Sequence, residues 1–238
     1  MTRWRKDGFS FLRAGLVGLA LVLAVPAAGQ DFQKGDEAYE RGDYATALRE
    51  LRPLAEQGLA DAQHNLGVMY HKGHGVPQDY AEAVKWYRLA AEQGHGDGQN
   101  NLGVMYDAGE GVSQDYVQAH MWWNLATAQG HAGGQYNLGN MYRDGQGVPQ
   151  DYAEAVKWFR LAAEQGFASA QYNLGLMYAK GDGVPQDYVQ AHMWFNLVAA
   201  QGDADAVRNR DIAASLMIPA QIVAAQRLAK EWLEKHPQ

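Results

Sequence analysis

The string Asn-Leu-Gly-x-Met-Tyr occurs four times in this chain, starting at Asn65, Asn101, Asn137 and Asn173, each 36 residues after the last. In register with it run Asp-Tyr pairs at Asp79, Asp115, Asp151 and Asp187, and tryptophans at Trp86, Trp122, Trp158 and Trp194. A fixed period of this size rules out a single compact globule. It requires stacked units, each burying its apolar face against the next. Such a stack offers a long surface to partners and seldom a single deep catalytic cleft.

One repeat, residues 59–94, reads as two helices. Ala62, Leu66, Met69 and Tyr70 share one helical face and predict a helix A over 61–71. Gly73, Gly75 and Pro77 then break the chain, and helix B starts at Asp79. Asp79 with Glu82 has the spacing of a capping box, copied as Asp115/Gln118, Asp151/Glu154 and Asp187/Gln190. Tyr80, Ala83, Trp86, Tyr87, Ala90 and Ala91 form the apolar face of helix B, and Gly94 ends it. Gly67, returning as Gly103, Gly139 and Gly175, sits inside helix A at a cost of about 1 kcal/mol relative to Ala. It predicts close contact with an aromatic ring of a neighbouring helix, which the Trp column would supply. The expected fold is all-α: a right-handed α/α solenoid of about six helical hairpins. Its parts are a signal segment 1–29, a partial capping hairpin 30–58, repeats 59–94, 95–130, 131–166 and 167–202, and a C-terminal capping hairpin 203–238. In the last, Ile222, Ala225, Leu228, Ala229 and Trp232 should face inward.

The N-terminus has the layout of a secretory signal. Arg3, Arg5, Lys6 and Arg13 precede an apolar run from Ala14 to Ala28, and small residues follow. The run is shorter than the roughly 20 residues a membrane-spanning helix needs. The expected mature N-terminus lies between Ala28 and Asp31, with the protein exported, either periplasmic or secreted. Residues 1–29 hold four basic and one acidic side chain, which leaves 16 basic and 26 acidic, a net charge of −10. That balance argues against nucleic acid and anionic lipid as partners. The chain has no cysteine, so it can hold neither a disulfide nor a thiolate metal site.

The pattern Ala-x-x-x-Leu-Gly-x-x-Tyr, then Gly-x-Gly-Val-Pro-Gln-Asp-Tyr, Ala-x-x-Trp-aromatic and Ala-x-x-Gly is complete from Ala62 to Gly94. It resembles the Sel1-like repeat, a 36-residue relative of the tetratricopeptide repeat. The other three copies follow with small departures, among them Gly98, Gly134 and Ser113. The resemblance implies scaffolding and adaptor work. For exported bacterial members it implies roles in envelope regulation, exopolysaccharide control, secretion machinery or host contact. It also implies A helices lining the concave face.

Comparing the four copies points to a site. Positions 64, 68 and 71 vary most (His64, Asn100, Tyr136, Tyr172; Val68, Val104, Asn140, Leu176; His71, Asp107, Arg143, Ala179) and form an i, i+4, i+7 stripe on helix A. Beside it run two fixed amide columns: Gln63, Gln99, Gln135, Gln171, and Asn65, Asn101, Asn137, Asn173. Side-chain amides both donate and accept, so a ladder of them could pair with the backbone of an extended peptide. They could equally hold neighbouring helices together. The candidate partner-binding residues are Asn65, Asn101, Tyr136, Asn137, Asn140, Tyr172 and Asn173.

Catalytic motifs are missing from the sequence. There is no His-Glu-x-x-His, Gly-x-Ser-x-Gly or phosphate loop, and none of Ser113, Ser169 and Ser215 begins Ser-x-x-Lys. Some cysteine-rich relatives are linked to β-lactam binding or hydrolysis, but this chain lacks their cysteines. His120 and His192 stand two repeats apart, too far to share one metal, and read as packed histidines. His71 and His74 flank a loop glycine with no third ligand in view. No metal, cofactor or catalytic residue is expected. The reading is an exported scaffold for a protein or peptide of unknown identity, of undefined oligomeric state and without stable membrane insertion. The alternative is a cell-wall glycan-binding protein or cell-wall enzyme, with Tyr136 and Tyr172 stacking on a sugar.

Overall fold

The computed structural model describes residues 25–236, which form twelve helices and, among the described residues, no strand. They pair in chain order as α1 (Val25–Glu40) with α2 (Tyr44–Glu56), α3 (Ala60–Lys72) with α4 (Tyr80–Glu92), α5 (Gly96–Ala108) with α6 (Tyr116–Thr127) and α7 (Ala132–Asp144) with α8 (Tyr152–Glu164). Then follow α9 (Ala168–Lys180) with α10 (Tyr188–Ala199), and α11 (Ala204–Ser215) with α12 (Pro219–Lys235). Each helix from α1 to α10 packs on the next, and α11 and α12 both pack on α10, giving the expected solenoid of six helical pairs. No described helix is long and apolar enough to cross a membrane. The basic and apolar segment read as a signal lies mostly outside the described residues. The side chains by which α1 packs, Phe32, Ala38 and Tyr39, all come after Asp31.

The helix boundaries follow from side-chain chemistry. Asp79, Asp115, Asp151 and Asp187 each accept hydrogen bonds from the two backbone N–H groups two and three residues on, as in Asp79 with Ala81 and Glu82 at 2.9 and 3.0 Å. The reciprocal half of the expected capping box is missing. The Asp79 N–H already donates to the Tyr70 carbonyl at 3.0 Å, so Glu82 has nothing to accept from and pairs with Lys85 instead. The loop glycines have a stacking role. Gly111, at φ +69°, lies so close to the start of α4 that an added Cβ would sit 2.3 Å from the Tyr80 carbonyl oxygen.

The core is continuous along the stack. Tyr70 packs against the clusters of both the first and second junctions, and Tyr106 against the next pair. The helix-A glycine does lie under an aromatic ring, but not the ring expected. A Cβ at Gly139 would meet the Phe159 ring at 2.6 Å, and Gly67, Gly103 and Gly175 stand likewise under Tyr87, Trp123 and Phe195. The ring comes from the residue after the fixed tryptophan, because that position of helix B points at helix A of its own hairpin. The tryptophans turn to the preceding junction: Trp86 packs on the cluster that holds Leu51 and Leu66, and Trp122 on the one that holds Val84 and Tyr87. In the shortened first hairpin, Gly35 fits against Leu51 in the same way.

At the far end α12 packs on α10, burying Ala225 and Ala229 and half-burying Ile222, Leu228 and Trp232. This hairpin does not close off all apolar surface, since Ile212, Leu216, Ile218 and Val223 remain exposed.

Candidate partner-binding face

The two amide columns have separate fates. The Gln column is buried and belongs to the scaffold, which corrects the expectation that it could meet a peptide. Gln63 Nε2 donates to the Ala55 carbonyl at the end of α2, 3.2 Å away, and Gln63 Oε1 accepts from Gln93 Nε2 at 2.7 Å. Gln99 repeats both bonds with Ala91 and Gln129. Gln63 and Gln99, buried and satisfied on both sides, thus tie three helices each, while Gln135 keeps the bond from Gln165 and Gln171 the bond to Ala163.

The Asn column is half-buried at the surface of the A helices. Asn101 Nδ2 donates to His64 Nε2 at 3.0 Å, and Asn137 Nδ2 to Asn100 Oδ1 at 3.0 Å. Asn65 donates to Asp36, and Asn209, one period beyond Asn173, to the Tyr172 hydroxyl at 2.8 Å. Each asparagine therefore reaches back to the preceding A helix, and at three steps the acceptor is a residue of the variable 64 column. His64 is fixed in one form by this. Its Nδ1–H donates to Asn65 Oδ1 at 3.2 Å while Nε2 accepts from Asn101. Burial, with a stacked His95 ring 4.9 Å away, holds the His64 imidazole below its usual pKa.

The ladder is interrupted at one step. Tyr136 leans on Phe167 and Phe159, with ring centroids 5.2 and 5.9 Å apart, and its hydroxyl makes no hydrogen bond among the described residues. Asn173 turns instead to Asn140 Oδ1, at a long 3.4 Å. Around this step the surface opens. A cavity of about 490 Å3 is lined by Asp97, Asn100, His131, Tyr136, Asn137 and Phe167, among others. Next to it lies one of about 240 Å3, lined by Tyr136, Ser169, Tyr172, Asn173, Asp203 and Asp205. A third of about 370 Å3 continues from Tyr172 to Asp205, Arg208 and Asn209. Tyr136 and Tyr172 are thus the walls between three successive hollows.

The predicted residues are therefore brought together only in part. Tyr136, Asn137, Tyr172 and Asn173 line one run of hollows, with Asn140 bonded to Asn173 beside it. Asn65 and Asn101 belong to the closed, hydrogen-bonded part of the face. Sequence reasoning missed the rim. His131 accepts from the Gly134 N–H at Nδ1 and so carries its proton on Nε2, which donates to Asp97 at 2.8 Å and holds that carboxyl below its usual range. His95 is built the same way onto Asp61. The signal was the unusual variety at the residue before each A helix: Leu59, His95, His131, Phe167, Asp203.

His71 and His74 point apart, His71 to Tyr87 and Glu110, His74 to the Tyr39 hydroxyl. Among the described residues no three metal-ligating side chains converge. His192 is buried and His120 is half-buried beside Asn124, each held toward the neutral form by burial.

Comparison with known proteins agrees with this architecture. The Sel1 repeat family matches at residues 60–95, 96–131, 132–167 and 168–203. A solved protective antigen of uropathogenic Escherichia coli strains, with an SLR fold, is 37% identical over 89% of this chain, with a TM-score of 0.73. This chain spans 47% of that longer one. A Sel1 repeat protein from Oxalobacter formigenes is 31% identical, covers 84% of each chain and has a TM-score of 0.72. An immunity protein from Pseudomonas aeruginosa, at 20% identity, 87% of this chain, 82% of its own and a TM-score of 0.55, shares the fold alone. A comparison with curated proteins found no match.

Proposed function

The chain belongs to the Sel1 repeat family, whose members are typically non-enzymatic scaffolds for protein–protein interaction, and on that premise we propose that it is an exported adaptor holding an extended segment of a partner protein. The segment lies along the A helices, with Tyr136, Asn137, Asn140, Tyr172 and Asn173 at its centre and Asn65 and Asn101 along its flank. The observation that carries this reading is the run of three hollows divided by Tyr136 and Tyr172, the middle one at the step where the asparagine ladder is interrupted. Aromatics supply contact area at little entropic cost, amides supply orientation, and such clusters dominate binding energy. Neighbouring A helices about 10 Å apart give four repeats a track of roughly 30–40 Å. An extended peptide rises about 3.3 Å per residue, so about ten residues fit. The relative described as a protective antigen fits an exported placement.

The test is capture of partners from an envelope extract with the wild-type protein and with Tyr136→Asn, followed by mass spectrometry. A protein retained by the first and lost by the second supports the adaptor reading. Two tyrosines beside a cavity of about 240 Å3 also suit a sugar ring. Sedimentation with purified peptidoglycan, abolished by Tyr136→Asn, would favour that second reading.

A further inference from the structure

On the opposite side of the stack, helix α6 carries an apolar stripe that no described residue covers. Val117, Met121 and Leu125 recur every four residues and so share one face. They are 69, 41 and 44% exposed. One exposed apolar side chain is ordinary on a soluble protein, but a row along one helix face marks a contact surface.

The chain contains its own control for this face. Tyr116-Val-Gln-Ala-His-Met-Trp of α6 recurs word for word as Tyr188-Val-Gln-Ala-His-Met-Trp of α10, and Leu125 recurs as Leu197. On α10 the equivalent Met193 and Leu197 are only 7 and 3% exposed. They share a core cluster with Ala229 of α12, against which Leu228 and Trp232 pack. The Trp232 ring stands edge-on to Trp194 at 6.3 Å and reaches back as far as Gly166 at the end of α8. Helix α12 therefore lies across the outside of α10, with the small Ala225 and Ala229 letting the backbones approach. The same surface appears twice in one chain, once covered and once bare. The two are also continuous, because exposed Leu89, Leu125 and Leu161 stand in the same column as Leu197, where the α12 interface begins.

We propose that the outer face of α6 docks one amphipathic helix of a partner protein, whose seam repeats that of α12: a small residue, then Leu, a second small residue and Trp within two turns. Recognition is of the helix-in-groove kind. An α12 borrowed from a second copy is the weaker occupant, since lending it would bare Met193 and Leu197 on the donor. This face is distinct from the A-helix hollows, so the proposal stands or falls without them.

The experiment titrates full-length protein into a fluorescein-labelled peptide with the sequence of α12, residues 219–235. Saturable binding weakened at least tenfold by Leu125→Glu and by Val117→Lys, and unchanged by Tyr136→Asn, is the expected result. Val117 is the most exposed of the three, so its variant keeps the test valid if Leu125→Glu unfolds. Lack of binding overturns the proposal. So does binding insensitive to both α6 variants, which would mean that the peptide displaces α12 from α10. Self-association of the wild-type protein in sedimentation, abolished by Leu125→Glu, would assign the stripe to a second copy and overturn it as well.

Discussion

The helix-A face has two halves built on one backbone. Between the second and third hairpins the step is closed: His64 and Asn101 satisfy each other, and Asn100 and Asn137 do so one step further on. Between the fourth and fifth, Tyr136 stands where His64 and Asn100 stood, the bond is not made, and hollows open on both sides. The hollows at Asn100–Asn137 and at Tyr172–Asn209 lie at steps whose bond is made, so the difference teaches that the side chain of this column sets the walls of each hollow rather than whether one opens.

The largest expected effect tests that shared packing. Gly139→Leu drives a side chain into the Phe159 ring, where even a Cβ sits at 2.6 Å, and overpacking of this kind typically costs about 1–3 kcal/mol. Ala179→Leu, on the variable column, should stay within about 0.5 kcal/mol. Equal melting temperatures for the two would refute the contact assignment. Next comes binding. Tyr136→Ala should weaken the captured partner by about 1–2 kcal/mol with helical circular dichroism unchanged, whereas His64→Ala should leave affinity alone. Tyr136→Asn is sharper. It recreates the Asn100–Asn137 pair and removes the aromatic wall between two hollows, so it should abolish binding without lowering the melting temperature. A partner still bound by that variant would break the comparison. Third, Asn101→Ala should cost about 1 kcal/mol through the lost bond to His64, and Asn173→Ala less, because its bond to Asn140 is long. Thermal melts of the two variants check the order.

The smallest effect expected is on pH dependence. His64 is kept neutral in the fold by burial, so below the ordinary value of 6.5 the unfolded chain takes up a proton that the folded chain refuses. Stability is therefore fully present above pH 6.5 and declines as pH falls toward the depressed folded pKa. His120 and His192 act with the same sign. His64→Asn should lessen the drop in melting temperature between pH 7.5 and pH 5.5. An undiminished drop would leave His64 out of the account.

The sequence made the repeat, the helix pairs and the caps legible because each recurs at a fixed spacing, and recurrence separates scaffold from decoration. It misplaced the ring over Gly139 because Trp158 and Phe159 are adjacent and both aromatic, and only three-dimensional direction tells which one faces helix A. It treated Gln135 and Asn137 alike, since both columns are fixed amides. Two residues along a helix separate a buried staple from a surface ladder. The interruption at Tyr136 could not be seen, because it depends on what Asn173, a period away, finds to bond.

One polar link distinguishes the junctions of the stack. Arg88 donates to the Tyr106 hydroxyl at 2.8 Å and Arg160 to the Tyr178 hydroxyl at 2.7 Å, while the step between them has Asn124 in place of arginine. Arg52, one period before Arg88, makes the same bond to the Tyr70 hydroxyl at 3.3 Å, so the column reads Arg52, Arg88, Asn124, Arg160, Asn196 and the polar link is present at three junctions and replaced at two. Excising residues 95–166 would bring an arginine-type helix B directly before repeat 167–202, as in the parent chain. Excising residues 131–166 alone would set two arginine-less junctions side by side. The first deletion leaves the Tyr178 hydroxyl with an arginine across the junction, and the second leaves it facing Asn124.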